Sequence, residues 1–239
     1  MNISFYNGAS GLVAHQEAMN QVSHNIANVN TVGYKPFRPE FTELLYNEMY
    51  TNEEKPLNGH GVKAKSADWL YGQGPIQQTW NSLDFAVSGD GFFAVQGQDD
   101  NTVYTRSGAF DISVEGRRGY LVDAEGRYVL DGRGRRITME KKDDGSFDLD
   151  ALKNKIGVFQ FANPYALQAI NSTSFLPTEQ SGQAKPGKGY TLLEQALEGS
   201  GVQLADEMTN MIVTQRAYQM SARVVRTADE MEEIVNNLR

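Results

Sequence analysis

Residues 5–29, FYNGASGLVAHQEAMNQVSHNIANV, and residues 204–238, LADEMTNMIVTQRAYQMSARVVRTADEMEEIVNNL, decide how the rest of the chain is read. In the first, Phe5, Leu12, Met19 and Ile26 recur every seven residues, with Ala9, Val22 and Val29 at the half-steps. In the second, Leu204, Met211, Tyr218 and Val225 keep the same interval, with Met208 and Ala222 between them and Met231, Val235 and Leu238 continuing it. A seven-residue apolar repeat holds one face of a slightly supercoiled helix toward a neighbour while the rest of each turn stays polar. The stripes predict two long amphipathic helices lying together in coiled-coil-like geometry, with those eight residues as packing positions. Periodicity alone equally allows two ordinary surface helices on one core. Length favours the first reading: at ~1.5 Å per residue the second helix reaches on the order of 55 Å, longer than a compact domain of this size is wide. Such a helix projects or finds partners.

The 239 residues suffice for one large domain or two modest ones, and ordinary aromatic and aliphatic content excludes global disorder. A net charge of −8 argues against nucleic acid or an anionic membrane as the main partner, because counterion release requires clustered Lys and Arg. The most basic stretch, residues 117–142, interleaves its cations with turns and acids and reads as solvated hairpin tips. With no cysteine, disulfides, thiolate metal sites and a cysteine nucleophile are excluded. No run of ~18 apolar residues is present for a membrane-spanning helix. The N-terminus shows no charged leader, apolar h-region or small-residue cleavage site, so the expected route out of the cytoplasm is not signal-peptide secretion.

Gly8 and Gly11 each weaken the first helix by roughly 1 kcal/mol relative to Ala, marking it as one that needs tertiary support. Its end is signalled by Asn28, Asn30 and Gly33, which tolerate left-handed backbone angles, and by Pro36 and Pro39, which forbid continuation. The exit segment Asn25-Ile26-Ala27-Asn28-Val29-Asn30-Thr31-Val32-Gly33-Tyr34-Lys35 closely resembles the signature of the flagellar basal-body rod and hook protein family. The matching positions are Asn25, Asn28, Thr31, Gly33, Tyr34 and Lys35, and His24 departs from the Asn common in that family.

Beyond the exit, Phe41, Leu44, Leu45 and Tyr46 form an apolar cluster that reads as a short helical segment, followed by a polar stretch over residues 47–60. From about Gly74 to Tyr190 the pattern is β, with short apolar runs at residues 85–87, 91–95, 103–105, 137–139 and 157–161. Residues 120–122 and 128–130 start eight apart and predict a hairpin around residues 123–127, and residues 148–155 suggest a short helix. The frequent Gly turns imply a sheet or small barrel with charged edges. Residues 83–95, including Gly91, Phe92 and Phe93, then Tyr104, Thr105 and Arg106 leading to Phe110, resemble the opening of that family's first outer domain. Ser200 and Gln203 read as a capping box for the last helix, which resembles the family's C-terminal helix apart from Gly201, where Asn is usual. The absence of a large insertion makes the chain similar to a rod protein rather than a hook subunit, with the distal type favoured over the proximal.

The fold class expected is therefore α+β: terminal helices (1–30 with 200–239) forming an axial domain, a linker region (31–73), and a central, mainly β outer domain (74–199). No catalytic, metal or cofactor site is expected. His15 and His24 lie nine residues apart, unlike the pairs that ligate metal from one helix face, and the only other histidine is His60. Residues 88–91 lack the helix and Lys of a phosphate loop, and no pair of acids is singled out for glycoside cleavage. The resemblance implies a non-enzymatic subunit that polymerises into a helical tube and transmits torque. Its partners would be identical subunits, other flagellar rod and hook proteins and the flagellar export apparatus, in the basal body outside the cytoplasmic membrane, without membrane insertion or nucleic acid. A secreted oligomeric binding module with a helical stalk and a wall-remodelling enzyme are the rival classes.

Overall fold

The computed structural model describes every residue except 1–2, 46, 49–56, 98–100, 117, 141–146, 148–151 and 239. Its first elements are α1 (Ile3–Ala27), β1 (Phe37–Glu43), β2 (Asn47–Glu48), β3 (Leu57–Asn58) and β4 (Val62–Trp69). There follow β5 (Ile76–Gln78), β6 (Phe85–Ser88), β7 (Phe92–Gln96), β8 (Thr102–Thr105), β9 (Phe110–Glu115), β10 (Arg118–Asp123) and β11 (Thr138–Glu140). The short α2 (Leu152–Lys155) precedes β12 (Val158–Gln160), β13 (Gln168–Ala169), β14 (Ser174–Leu176), β15 (Lys185–Pro186), β16 (Thr191–Glu194), β17 (Ala196–Glu198) and α3 (Leu204–Asn237). The chain is α+β and divides into two compact units: Met1–Ala27, Phe37–Trp69 and Gln203–Arg239 form one, and Asn28–Pro36 with Leu70–Val202 form the other.

In the first unit α1 and α3 run antiparallel, since Gly8 lies at Val225, Gly11 at Ser221 and Asn25 at Glu207. The face of α1 that is buried consists of Gly8, Gly11, Ala14, Ala18, Val22 and Asn25. It is a small-residue face, and the glycines have a use there. A Cβ added at Gly8 would stand 2.8 Å from Val225 Cγ2, and one at Gly11 would stand 3.0 Å from Ser221 Oγ. What weakens the isolated helix lets the two backbones approach each other.

The other flank of α1 carries the antiparallel β1–β4 ribbon, in register from Phe37 opposite Trp69 to Glu43 opposite Val62. Asn7 Nδ2 donates to Gly59 O at 3.0 Å, and Val62 N–H donates to Ser10 Oγ at 3.3 Å. His15 and His24 lie 5.5 and 5.4 Å, centroid to centroid, from the rings of Phe41 and Phe37, so both histidines ride along β1. The short helical segment expected around Phe41 to Tyr46 is instead strand as far as Glu43, with Leu44 and Leu45 outside any element and Tyr46 outside the described residues. Ladder pairing with β4 and ring contacts with α1 override the local propensity there.

The second unit is built on a six-stranded sheet of order β13-β14-β8-β7-β12-β15 and a three-stranded sheet of order β11-β10-β9, with ribbons β16-β6 and β17-β5. Its core gathers Phe85, Phe93, Val95, Phe110, Leu121, Val129, Ile137, Leu152, Val158 and Leu192. The predicted hairpin forms through bridges and extends into a repeat. Leu121, Val129 and Ile137, eight residues apart, close a ring of backbone hydrogen bonds in which each N–H donates to the next carbonyl. The turns between them are alike, because Asp123 Oδ1 accepts from the amides of Glu125 and Arg127, and Asp131 Oδ1 from those of Arg133 and Arg135. Arg127 and Arg135 also pair with those same aspartates, so part of the basic stretch is internally neutralised. Of the short helix expected over residues 148–155, the structure shows Leu152–Lys155; the remainder lies outside the described residues.

The capping box is not formed. Gln203 is the N-cap of α3, with extended backbone and no side-chain hydrogen bond, while Ser200 Oγ accepts from Val202 N–H at 3.3 Å. Gly201 N–H is already committed to Tyr34 O at 3.0 Å, which holds the chain extended past Ser200.

Candidate functional site

The exit from α1 is organised by two sets of buried polar contacts, one in each unit. In the first unit the Asn25 amide lies on the backbone of Phe37. Its Nδ2 donates to Phe37 O at 2.9 Å, and its Oδ1 accepts from Phe37 N–H at 3.3 Å. A side-chain amide has the same donor–acceptor spacing as a peptide, so Asn25 behaves as one extra ladder residue at the start of β1. Nδ2 also donates to Glu207 Oε1 at 3.1 Å, joining α3 to the same point.

Burial pushes the Glu207 carboxyl up; the Asn25 hydrogen bond and the Arg38 charge oppose this, and Asp206 adds to it. A carboxyl whose folded pKa is raised binds its proton more tightly in the native state. Its contribution to stability is therefore largest at low pH and is lost as pH rises from the ordinary glutamate value through the folded one. Glu207→Gln is expected to flatten this component, read as urea midpoints between about pH 4 and 7, whereas an unchanged slope would place the titration elsewhere.

In the second unit the chain from Asn28 turns through Thr31, whose Oγ1 donates to Asn28 Oδ1 at 3.1 Å, and reaches Gly33 at φ +70°. Tyr34 and Lys35 are fully buried. Lys35 Nζ donates to Glu198 Oε1 at 2.5 Å and to Gly72 O at 2.7 Å. Gly74 N–H donates to the same carboxylate oxygen at 2.8 Å. Arg106 Nε stands 3.4 Å from Glu198 Oε2, and its terminal nitrogens donate to Gly89 O at 2.6 Å and Val87 O at 3.4 Å. All three charged side chains are at least 97% buried. Desolvation lowers the pKa of Lys35 and of Arg106, and the Glu198 carboxylate opposes that in both. Two backbone bonds flank the cluster, Gly33 N–H to Glu198 O at 2.8 Å and Gly201 N–H to Tyr34 O at 3.0 Å. The arrangement is a clasp: it pins the segment leaving α1 against the segment entering α3. Two cations share one carboxylate inside it.

Each signature residue therefore has a place. Gly33, Tyr34, Lys35 and Arg106 build or border the clasp, and Thr105 Oγ1 accepts from Ser107 N–H at 3.1 Å beside it. Phe93 is core, Phe92 lies 5.7 Å from the Arg106 guanidinium, and Gly91 approaches Val158 so closely that a Cβ would stand 2.4 Å from its Cγ1. Tyr104 stacks edge-on against Phe161 at 4.8 Å. The stripe residues are placed differently. Phe5 and Leu204 are exposed, while Leu12, Met19, Ile26, Met211, Tyr218 and Val225 are half-buried, Val225 lying against Gly8. Sequence reading missed Glu198, one acid among thirty. The signal available was indirect: Lys35 follows Tyr34, Arg106 follows Val103, Tyr104 and Thr105, and a cation buried beside such residues requires a counterion. No group of three or more His, Cys, Asp or Glu residues suited to a metal ion occurs among the described residues.

Residues 5–35 match the family described as "Flagella basal body rod protein", residues 86–158 the "Flagellar hook protein FlgE/F/G D1 domain", and residues 193–238 the "Flagellar basal body rod FlgEFG protein C-terminal" family. The chain is 34% identical to the flagellar basal-body rod protein FlgG of Borreliella burgdorferi, over 99% of this chain and 98% of that protein. It is 33% identical to FlgG of Agrobacterium fabrum, over 95% of this chain and 96% of that protein. With the hook protein FlgE of Borreliella burgdorferi the identity is 34%, over 64% of this chain and 36% of that protein. Rod relatives are thus matched end to end and the hook relative only in part, and this chain belongs to the flagellar basal-body rod protein family, as a structural rod subunit of the distal, FlgG type.

Proposed function

We propose that the subunit polymerises head to tail into a helical tube that transmits torque from motor to hook. Terminal helices (1–30 with 200–239) pack with coiled-coil-like geometry as the axial layer, residues 31–73 link, and residues 74–199 form the outer layer. The observation that carries this is the outer surface of α3. Met208, Ile212, Val213, Met220, Ile234 and Val235 are each more than half exposed in the single subunit. So long an exposed apolar surface is a partner surface rather than an ordinary monomer face. Contacts between different patches of identical chains that do not close a ring generate a filament. Phe5, Leu12, Met19, Ile26, Leu204, Met211, Tyr218 and Val225 are the packing positions of the assembled helices. The subunit has no catalytic role; it would pass through the flagellar export apparatus, join other rod and hook proteins, and lie outside the cytoplasmic membrane. No helix among the described residues is long and apolar enough to cross a membrane.

Ile212→Asp combined with Val235→Asp tests the reading. Both side chains are exposed, so the monomer is expected to keep its stability within about 0.5 kcal/mol. Assembly into rods, followed by sedimentation and electron microscopy, is expected to be lost. Rods of normal length and stability from the double variant would overturn the proposal.

A further inference from the structure

Within the second unit an open groove of about 630 Å³ lies beside the clasp, lined among others by Tyr71, Asp90, Phe92, Arg106, Tyr165 and Lys188. A hollow of about 500 Å³ continues it, sharing Gln160, Phe161, Ala162 and Lys188 and adding Lys185 and Pro186. Charge in this surface is unbalanced. Lys185, Lys188 and Arg106 face one carboxylate, Asp90, and neither lysine ammonium has an ion-pair partner among the described residues. Behind the wall, Lys35 pairs with Glu198, which Arg106 also approaches, so Lys185, Lys188, Arg106 and Lys35 together face two carboxylates, Asp90 and Glu198, and the surplus stays positive. The floor is aromatic: Tyr71 meets Phe92 and Tyr165 edge-on, and Phe92 meets Phe161 in the same way. Tyr165 is 66% exposed, and the buried Tyr71 hydroxyl has no hydrogen-bond partner.

We propose that this groove receives an extended acidic segment of another protein. The carboxylates of the segment lie between Lys185 and Lys188, and an apolar side chain beside them sits on Phe161 and Tyr165. Charge complementarity selects the acid, and the aromatic floor selects its apolar neighbour. A saccharide fits less well, because the Gln160 amide is spent on Asp90 O, Lys188 O and Lys188 N–H, leaving few neutral groups to read hydroxyls. Strand addition at the β15 edge is hindered by Pro186, which has no N–H to offer. The paired acids of this chain that lie among the described residues, at 206–207, 229–230 and 232–233, are on α3. A helix ~10–12 Å across does not enter such a groove, so none of these three pairs supplies the segment.

The experiment is fluorescence anisotropy of the full-length subunit with a labelled decapeptide carrying one phenylalanine among glutamates, against its lysine counterpart. The acidic peptide is expected to bind saturably and to weaken several-fold when salt rises from about 50 to 300 mM. Lys185→Glu with Lys188→Glu is expected to weaken it at least tenfold, and Lys185→Arg with Lys188→Arg to retain it. All four substitutions are at exposed side chains, so matching thermal melts verify the fold. Equal affinity for both peptides, or no loss in the charge-reversed variant, overturns the proposal. Displacement of the peptide by an oligogalacturonate at lower concentration assigns the groove to a saccharide and overturns it as well. Loss of self-association in the charge-reversed variant, without loss of peptide binding, assigns the lysines to subunit contact and has the same effect. Because the α3 surface and this groove are changed by separate substitutions, failure of one reading leaves the other standing.

Discussion

Glu198→Gln is expected to destabilise the second unit by about 3–5 kcal/mol. Glutamine keeps the shape and an oxygen for Gly74 N–H, but it leaves Lys35 and Arg106 buried together without the carboxylate they share. Lys35→Met removes a cation instead, and Arg106 then balances Glu198, so its cost is expected to stay below about 2 kcal/mol, chiefly the lost bond to Gly72 O. Placed on the Glu198→Gln background, Lys35→Met is expected to restore stability rather than reduce it further, a coupling that purely steric damage does not produce. The pH dependence gives an independent sign. Without the carboxylate that raises it, the Lys35 pKa falls further below its ordinary value. The unfolded chain then binds more protons than the native one, and the stability of the Glu198→Gln variant rises with pH up to the ordinary lysine value. Urea titrations from about pH 7 to 10 supply both readings. A variant within about 1 kcal/mol of the parent, with the same pH slope, contradicts the clasp.

Gly33→Ala is the second large effect. Gly33 sits at φ +70°, and a Cβ there would stand 2.5 Å from Ser107 N, 2.7 Å from Arg106 C and 2.9 Å from Ser107 Cα, all backbone atoms that no rotamer change can move. The left-handed conformation costs about 1–2 kcal/mol for a non-glycine residue, and overpacking adds about 1–3 kcal/mol. The expected total is about 2–5 kcal/mol. Gly126→Ala separates the two contributions, since Gly126 has φ +78° and open space around its Cβ position. It is expected to lose only the conformational part, about 1–2 kcal/mol. Equal losses at the two sites would show that contact with Arg106 and Ser107 contributes nothing.

What could be read in advance follows from what each kind of signal reports. Periodicity located α1 and α3, and runs of apolar residues located β6, β7, β8 and β12, because burying one face is a local demand that leaves a local pattern. The centre of the α1 face in the single subunit left no such pattern, because periodicity counts large apolar side chains, whereas the buried face there carries Gly8, Gly11, Ala14 and Ala18. Their value lies in what they lack. Glu198 was illegible because its partners lie 163 and 92 residues away in sequence, and nothing in its neighbourhood distinguishes it from a solvated acid. Ser200 carried a correct helix-start pattern that went unused, since the Gly201 amide is drawn to Tyr34. Phe41 was assigned to helix on composition, yet Phe37 and Phe41 serve as ring contacts for His24 and His15 and belong to a strand. In each case a tertiary partner outweighed a local preference of about 1 kcal/mol.

The central claim, a rod subunit that assembles through its terminal helices, is tested most directly by hydrogen exchange on the soluble subunit and on its polymer. In the subunit, the amides of the β7, β8 and β10 core are expected to be strongly protected, and those of α3 over residues 204–237 to exchange through local opening, because much of its apolar surface faces water. In the polymer, protection across α1 and α3 is expected to rise by two orders of magnitude or more, equivalent to at least about 3 kcal/mol of added local stability, while the β core changes little. Equal protection of α1 and α3 in subunit and polymer, or a gain confined to residues 74–199, would contradict assembly through the helices.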